Sequence, residues 1–216
     1  MGTQVIAAES EPATPSAGNV IHWFDNQGLI PCWKNANGDI IARSENGSIA
    51  AQGAGFASDT YVTDSNILIP SFGMKPRSWM RWMISLSKTA AGVATPIAQI
   101  RIGANGSTAD TSRLTLTGPA QTAVADIATL WIMLTTRSQG AAGVIQGTMW
   151  FNHRGTAASS TGGTGFANDQ SGHVEATSAG FDNQGITIGG LKLGLSLNGG
   201  ASASWTITQV RTEAKW

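Results

Sequence analysis

Residues 191–216 read LKLGLSLNGGASASWTITQVRTEAKW, and they indicate the fold more clearly than any other stretch of the chain. Leucine occupies every second position at the start, so the leucines share one face of an extended chain. Further on, Trp205 and Ile207 alternate with polar residues, and the alternation then resumes on the opposite parity from Val210. One extra residue in a strand causes such a change of phase, so we predict a β-bulge at Gln209. The stretch predicts two strands.

The same period-two pattern recurs along the chain, and no window with helix caps shows a comparable 3.6-residue period. Eight segments follow it: residues 61–70, 79–87, 97–102, 113–117, 127–136, 144–153, 185–197 and 204–216. Short strands at this spacing are typical of antiparallel sandwiches and jelly rolls. We therefore predict an all-β protein whose main domain is an antiparallel, jelly-roll-like β-sandwich.

Three regions differ in composition. Residues 1–19 are polar and lack a sustained apolar period, which predicts an extended N-terminal attachment arm that lies against a partner or a neighbouring subunit. Residues 20–56 contain short apolar runs separated by turns rich in Asn and Gly, one of them at residues 44–47, which predicts a small β-meander or hairpin module. The small residues of AAQGAGFAS at 50–58 mark the boundary. Residues 57–216 form the predicted sandwich.

Charge and cysteine content argue against several functions. The 13 basic and 13 acidic residues cancel, so no net charge favours a nucleic-acid backbone or a membrane surface. No run approaches the roughly 18 apolar residues of a membrane span, and the N-terminus lacks a signal-peptide pattern. Cys32 is the only cysteine, which excludes an intrachain disulfide and a thiolate metal cage. We expect no nucleic-acid partner, no membrane, no metal and no cofactor.

The sequence FDNQG occurs twice, at 24–28 and at 181–185. An EF-hand calcium loop needs oxygen ligands at alternating positions and a carboxylate at the twelfth. Counted from the aspartate of either copy, the fifth position is aliphatic and the twelfth is Ala36 or Leu193. The flanking residues share nothing further, which also disfavours a duplicated unit. Both copies are therefore predicted to be the same aspartate-led turn.

No complete catalytic motif is present. Residues 85–88, SLSK, match the S-x-x-K of penicillin-recognising enzymes, but they end a predicted strand and lack the S-D-N and K-T-G partners. His22, His153 and His173 lie far apart and have no metal-binding spacing. Glycoside hydrolysis needs two facing carboxylates, and the sequence alone pairs none of its acids. The Gly-rich residues 155–172 contain no phosphate-binding motif and are predicted to be a long surface loop, where binding functions often lie.

The chain has eight tryptophans and one tyrosine, a ratio that allows sugar stacking but also dense packing. Five of the tryptophans fall inside predicted strands between aliphatic neighbours, which favours packing in the core or between subunits. These are Trp79, Trp82, Trp131, Trp150 and Trp205. The remaining three could instead anchor the chain to another protein: Trp23, Trp33 and Trp216.

Several motifs of residues 60–216 point to a known family. They are RW with SKTAAG, IRIG with ADTSRL, TAVAD, RSQGAAGVIQG, and LSLNGGAS with WT. With these motifs the chain resembles a group of tailed-bacteriophage structural proteins described as minor tail, fibre or virion proteins. Residues 13–42 are similar to hairpin modules that precede such domains in phage fibres. The resemblance implies a virion protein and designates no catalytic residue, and this chain departs from the pattern in its many Trp and Met residues.

We therefore expect a non-enzymatic bacteriophage virion structural protein, assembled in the bacterial cytoplasm as a fibre, spike or capsid-decoration subunit. The expected partners are two further copies of the chain, giving a homotrimer, and other capsid or tail proteins. The residues expected to attach it to the particle are Val5, Ile6, Val20, Trp23 and Trp33.

Two other functions remain open. The first is a receptor-binding module for a host surface glycan, with contacts in the predicted loop at Thr161, Thr164, Phe166 and Asn168. The second is a polysaccharide depolymerase, for which the sequence offers no recognisable pair of acids.

Overall fold

The computed structural model describes residues 8–27, 30–52, 56–154, 173–200 and 205–216. Within them the chain forms fourteen strands and one short helix, α1 (Gly185–Ile188). The strands are β1 (Ala8–Glu9), β2 (Val20–Asp25), β3 (Pro31–Asn35), β4 (Ile40–Ser48), β5 (Thr60–Tyr61), β6 (Ile67–Leu68), β7 (Trp79–Lys88), β8 (Ile97–Gly103), β9 (Thr111–Thr117), β10 (Asp126–Ser138), β11 (Val144–Arg154), β12 (Val174–Thr177), β13 (Lys192–Asn198) and β14 (Trp205–Lys215).

The strands form two sheets that pack against each other. The larger sheet has nine strands in the order β1-β2-β3-β4-β14-β7-β10-β11-β12. The smaller has the order β5-β13-β8-β9, and β6 also pairs with β13. Only β1 and β2 pair in parallel among these described strands. This confirms the predicted all-β antiparallel sandwich.

The chain crosses repeatedly between the sheets, which gives the sandwich its jelly-roll character. From β4 it passes to β5 and β6, returns to β7, crosses to β8 and β9, and returns to β10. After β12 it crosses once more to β13 and ends in β14. Four strands of each sheet thus form the double-sheet core of a jelly roll. The meander strands extend the larger sheet beside β4, and β11 and β12 extend it beside β10.

The core follows the period-two pattern of the long strands. In β7 the residues Met80, Trp82, Ile84 and Leu86 are buried, while the intervening side chains lie on the opposite face. Strand β10 alternates in the same way from Ala128 onward. Burying one such aliphatic side chain contributes about 1.5–3 kcal/mol, so the facing rows of the two sheets stabilise the sandwich.

The predicted bulge in the last strand is present. The pairing of β14 with β7 shifts register between Ile207 and Gln209, so the extra residue is Thr208. Trp205 and Ile207 face the core before the shift, and Val210 does so after it. The bulge therefore lies one residue before the predicted position, and it produces the predicted change of phase.

Two predicted strands differ from the structure, and a third observed strand was not predicted. Residues 61–70 are not one strand, because β5 and β6 are separated by a turn in which Asp64 has a φ of 59°. Residues 185–197 begin with α1, and their strand starts only at Lys192. Strand β12 was not predicted, because a pattern of four residues is too short to distinguish from a loop.

The meander is hydrogen-bonded to the sandwich. A turn was predicted at residues 44–47, but β4 continues through them because its second half pairs with β14, from Arg43–Lys215 to Ser48–Val210. Trp23, Cys32 and Ala42 also belong to the hydrophobic core of the sandwich. The division into domains at residue 56 stays a prediction, and one sheet runs across it.

The described part of the N-terminal arm packs on its own chain. Ala8 and Glu9 pair with β2, and the Glu11 carboxylate lies 2.8 Å from the ammonium groups of both Lys34 and Lys75. Burial works to raise the pKa of Glu11, but the two lysines outweigh it and hold the pKa below its usual value. The arm was expected to lie on a partner or neighbouring subunit. Instead, residues 8–12 are fixed to strands β2 and β3.

The two FDNQG sequences form related turns that meet at one segment. Asp25 and Asp182 each accept a hydrogen bond from the backbone N–H of the glutamine two residues later, at 3.0 and 3.1 Å. The Asp25 carboxylate also accepts bonds from the backbone and hydroxyl of Ser71. Asn183 accepts the backbone N–H of Met74 through its carbonyl, at 3.1 Å. The predicted aspartate-led turns are confirmed, and each copy accepts hydrogen bonds from the segment of residues 71–74.

Candidate functional site

The residues predicted to attach the chain to a particle fall in three environments. Val20 and Trp33 are 56% and 38% exposed on the meander. Trp23 is only 2% exposed, because it points from the other face of β2 into the core, so its side chain cannot contact a partner in this conformation. Val5 and Ile6 lie outside the described residues. The attachment role itself stays a prediction.

The predicted host-contact loop cannot be placed. All four of its residues, Thr161, Thr164, Phe166 and Asn168, lie outside the described residues. The loop is bracketed by β11 and β12, which pair with each other at one edge of the larger sheet.

A group of exposed apolar side chains covers the outer face of the meander. We define the meander patch as Val20, His22, Phe24, Trp33 and Ile41. His22 lies opposite Trp33 in the β2–β3 register, with 5.8 Å between their ring centroids, and Trp33 lies opposite Ile41. The four apolar members are 36% to 56% exposed. Contiguous exposed apolar side chains of this kind mark contact surfaces.

The strand tryptophans divide between the two faces of the larger sheet. Trp82 and Trp205 are in the core, as predicted, and Trp216 is also buried. Trp79, Trp131 and Trp150 lie on the outer face and are half-buried, so they are not core residues, and packing between subunits stays a prediction for these three. The sequence gives each strand an alternation, but it does not say which face the second sheet covers.

Trp131 and Trp150 form a stacked pair on that outer face. They are direct neighbours across β10 and β11, with 6.1 Å between ring centroids and planes inclined by only 7°. We call this pair the tryptophan ridge. One shallow hollow beside the ridge is lined by Trp131, Met83, Arg81, Arg211 and Glu213. A second hollow, on the other side, is lined by Trp150, Thr148, His173 and Glu175.

Glu213 fixes the two arginines beside the ridge. Its carboxylate accepts a bond from Arg81 Nε at 2.7 Å and lies 2.7 Å from the guanidinium of Arg211. The Glu213 side chain is only 13% exposed, so these ion pairs are partly shielded from water. The Arg81 guanidinium also lies over the Trp79 ring, 5.6 Å from its centroid. Both guanidinium groups therefore have defined positions and retain N–H donors for other acceptors.

Three of the acidic residues have structural roles. Asp59 pairs with Arg101, and Asp182 holds its own turn. Asp110 accepts the backbone N–H groups of residues 105–107 at 2.6 to 3.2 Å. Burial tends to raise the pKa of Asp110, but these three donors outweigh it and lower the pKa. A general acid needs a raised pKa, so Asp110 is unsuited to that role.

The S-x-x-K match is also structural. Ser85 and Lys88 lie three residues apart in β7, so their side chains point to opposite faces of the strand. The Lys88 ammonium donates to the carbonyls of Thr122 and Val124 at 2.7 Å each. Burial lowers the pKa of Lys88, against a smaller opposing effect of Asp126. Ser85 and Lys88 cannot act as a nucleophile and its base in this geometry.

No family model matches the chain, and a search of curated proteins finds no match either. Among the described residues, no three metal-ligating side chains cluster together. The part of the chain that the structure describes also contains no helix long and apolar enough to cross a membrane. The meander patch and the tryptophan ridge are the exposed aromatic surfaces of the larger sheet.

Proposed function

We propose that this protein is a non-enzymatic structural subunit of a tailed-bacteriophage particle, and that it docks onto another virion protein through the meander patch. The observation that carries the docking proposal is the patch itself. Phe24, Trp33 and Ile41 are large apolar residues exposed on adjacent strands, and covering them removes apolar area worth about 25 cal/mol per Å². The assignment to phage rests on the sequence resemblance of residues 60–216.

The position of the N-terminal arm favours another virion protein as the partner of the patch. Strand β1 of the arm lies beside the patch, because Ala8 pairs with Phe24 in the β1–β2 register. Ala8 and Glu9 are themselves exposed. The described end of the arm and the patch are therefore neighbouring surfaces that a capsid or tail protein could contact together. A homotrimer remains part of the proposal, since a closed ring would cover exposed edge strands such as β12.

Binding to particles tests the proposal. Phage particles assembled without the protein are mixed with the purified chain and sedimented, and the bound fraction is measured. We expect the double variant Trp33→Glu with Ile41→Glu to lose about tenfold or more in affinity, because it places charge in an apolar contact. Ile186→Glu is the matched control, since Ile186 is 95% exposed on α1 and does not belong to the meander patch.

Two results would contradict the proposal. Unchanged binding of the double variant would remove the patch from the interface. Particles that are labelled on neither head nor tail by an antibody to this chain would remove the virion assignment altogether. The mass of the purified chain by light scattering checks the trimer separately, against a monomer of 22.3 kDa.

A further inference from the structure

The tryptophan ridge presents flat aromatic surface on both of its sides. Because Trp131 and Trp150 are nearly parallel and face each other, the hollow on each side is walled by the outer face of one indole. Strands β7, β10 and β11 hold these rings at fixed positions in the sheet. Such a surface suits a ligand with flat apolar faces, which can stack on an indole without burying a polar group.

Each hollow adds polar groups of a different kind. On the Trp150 side, the hydroxyl of Thr148 and the carboxylate of Glu175 lie beside the ring, and His173 is 3.3 Å from Glu175. On the Trp131 side, Arg81 and Arg211 present guanidinium N–H groups around Glu213. The surface therefore offers both acceptors and donors next to aromatic faces. A sugar with many hydroxyl groups needs this combination.

The Trp131 side carries an excess of positive charge that continues along β14. The adjoining hollow is lined by Arg43, Glu45 and Lys215, together with Arg81 and Glu213. Including Arg211, this gives four basic side chains and two acidic ones. A ligand carboxylate is the natural complement, since guanidinium groups bind carboxylates with two parallel hydrogen bonds.

Two other occupants fit less well. A single-stranded nucleic acid would stack on the ridge, but its phosphates would meet the carboxylates of Glu45, Glu175 and Glu213, and the chain has no net charge to favour it. A second copy of the chain would have to bury these same charges at the centre of an interface, where charged residues are depleted. Both occupants are outcomes of the test below.

We propose that the tryptophan ridge is a binding site for an acidic oligosaccharide, with sugar rings stacked on Trp131 and Trp150 and a sugar carboxylate on Arg81 and Arg211. Thr148, His173 and Glu175 take hydroxyl groups on the Trp150 side. None of these residues belongs to the meander patch, so the site does not depend on the proposed docking to a particle.

The test uses the full chain and paired probes. Oligosaccharides containing galacturonate, glucuronate or N-acetylneuraminate are each compared with a neutral analogue, and affinity is measured by calorimetry and by tryptophan fluorescence. We expect at least one acidic probe to bind about tenfold more tightly than its neutral analogue. The double variant Trp131→Ala with Trp150→Ala should lose about tenfold or more in affinity for both members of the pair.

Further variants distinguish the loss of the contact with the sugar carboxylate from a loss of folding. Arg211→Gln should weaken the acidic probe and leave the neutral one nearly unchanged, and its side chain is 55% exposed, so the fold should persist. Ile127→Ala is the control, because Ile127 lies on the same face of β10 and is 66% exposed but lines neither hollow. Circular dichroism verifies that each variant is folded.

Four results would overturn the proposal. They are no binding of any acidic probe, unchanged binding by the folded tryptophan variant, tighter binding of an oligothymidylate than of every sugar, and a change of solution mass in the tryptophan variant. The last result would identify the ridge as a contact between copies. The outcome of the particle-binding experiment with meander-patch variants does not change what any of these four results means for the sugar site.

Discussion

Asp25 and Asp182 occupy the same position in two identical pentapeptides, yet they differ in burial and in hydrogen-bond partners. Asp25 is fully buried and accepts bonds from Gln27 and from both donor groups of Ser71. Among the described residues, Asp182 accepts bonds from Gln184 of its own turn and from Thr187. The sequence predicted the turn at both places, because the aspartate-to-backbone bond is local. It could not predict the bond to Ser71, which joins residues 46 positions apart.

At the residue scale, we expect Asp25→Ala to reduce the free energy of unfolding by about 1–3 kcal/mol, because buried donors of Ser71 lose their acceptor. Urea denaturation followed by fluorescence measures this. Asp182→Ala is the control and should cost clearly less, since water can replace its hydrogen bonds. Equal losses for the two variants would show that the shared turn, and not the contact with Ser71, carries the stability.

At the element scale, the arm is held by ionic contacts that the sequence did not reveal. Glu11 joins Lys34 of β3 to Lys75, and Lys34 donates to the carbonyl of Pro12 as well. An arm with no apolar period was expected to need a partner, because it has no hydrophobic core of its own. In the structure, ion pairs hold the arm in place of a hydrophobic core. The two lysines lie 23 and 64 positions from Glu11 in the sequence, so a local pattern does not reveal them.

The arm should therefore detach in acid. The pKa of Glu11 is lowered in the folded state, so its ion pairs stabilise the arm fully above pH 4.5 and are lost as the pH falls through the lowered value. The Asn26 amide donates to the carbonyl of Glu9, and its protection factor against hydrogen exchange, which corrects for the intrinsic effect of pH, should fall below pH 4.5 while β7 stays protected. Glu11→Gln should lower this protection factor at neutral pH too. A protection factor of Asn26 that stays constant across this pH range would contradict this role for Glu11.

At the scale of the whole molecule, the last strand joins the parts of the chain. Strand β14 lies between β4 of the meander and β7 of the sandwich. At its end, Trp216 is buried, donates its indole N–H to Ser44 at 2.8 Å, and bonds the carbonyl of Ala42 through its backbone. The sequence predicted Trp216 as one of three residues that could anchor the chain to another protein. In the structure it instead fixes the end of the chain to β4 of the meander.

We therefore expect meander and sandwich to unfold in one transition, with fluorescence and far-ultraviolet dichroism coinciding in urea. Trp216→Ala should shift that single transition and reduce the free energy of unfolding by about 3–5 kcal/mol, because it removes a buried aromatic side chain. Trp33→Ala, at a tryptophan that is 38% exposed, should cost less. Two separate transitions would instead support an independent module at residues 20–56.

The sequence by itself determined the period of each long strand, the bulge near Gln209 and the two aspartate-led turns, because these depend on residues close together in the chain. It therefore determined the all-β class and most strand limits. Only the tertiary structure decided which face of each strand the second sheet covers, and thus that Trp82 and Trp205 are core residues while Trp131 and Trp150 form a surface ridge. The tryptophan pair lies in consecutive strands, but it could not be predicted as a surface feature, because the second sheet decides which face of those strands is covered. The arginines beside the pair come from β7 and β14, which pair with this part of the sheet from distant positions in the sequence.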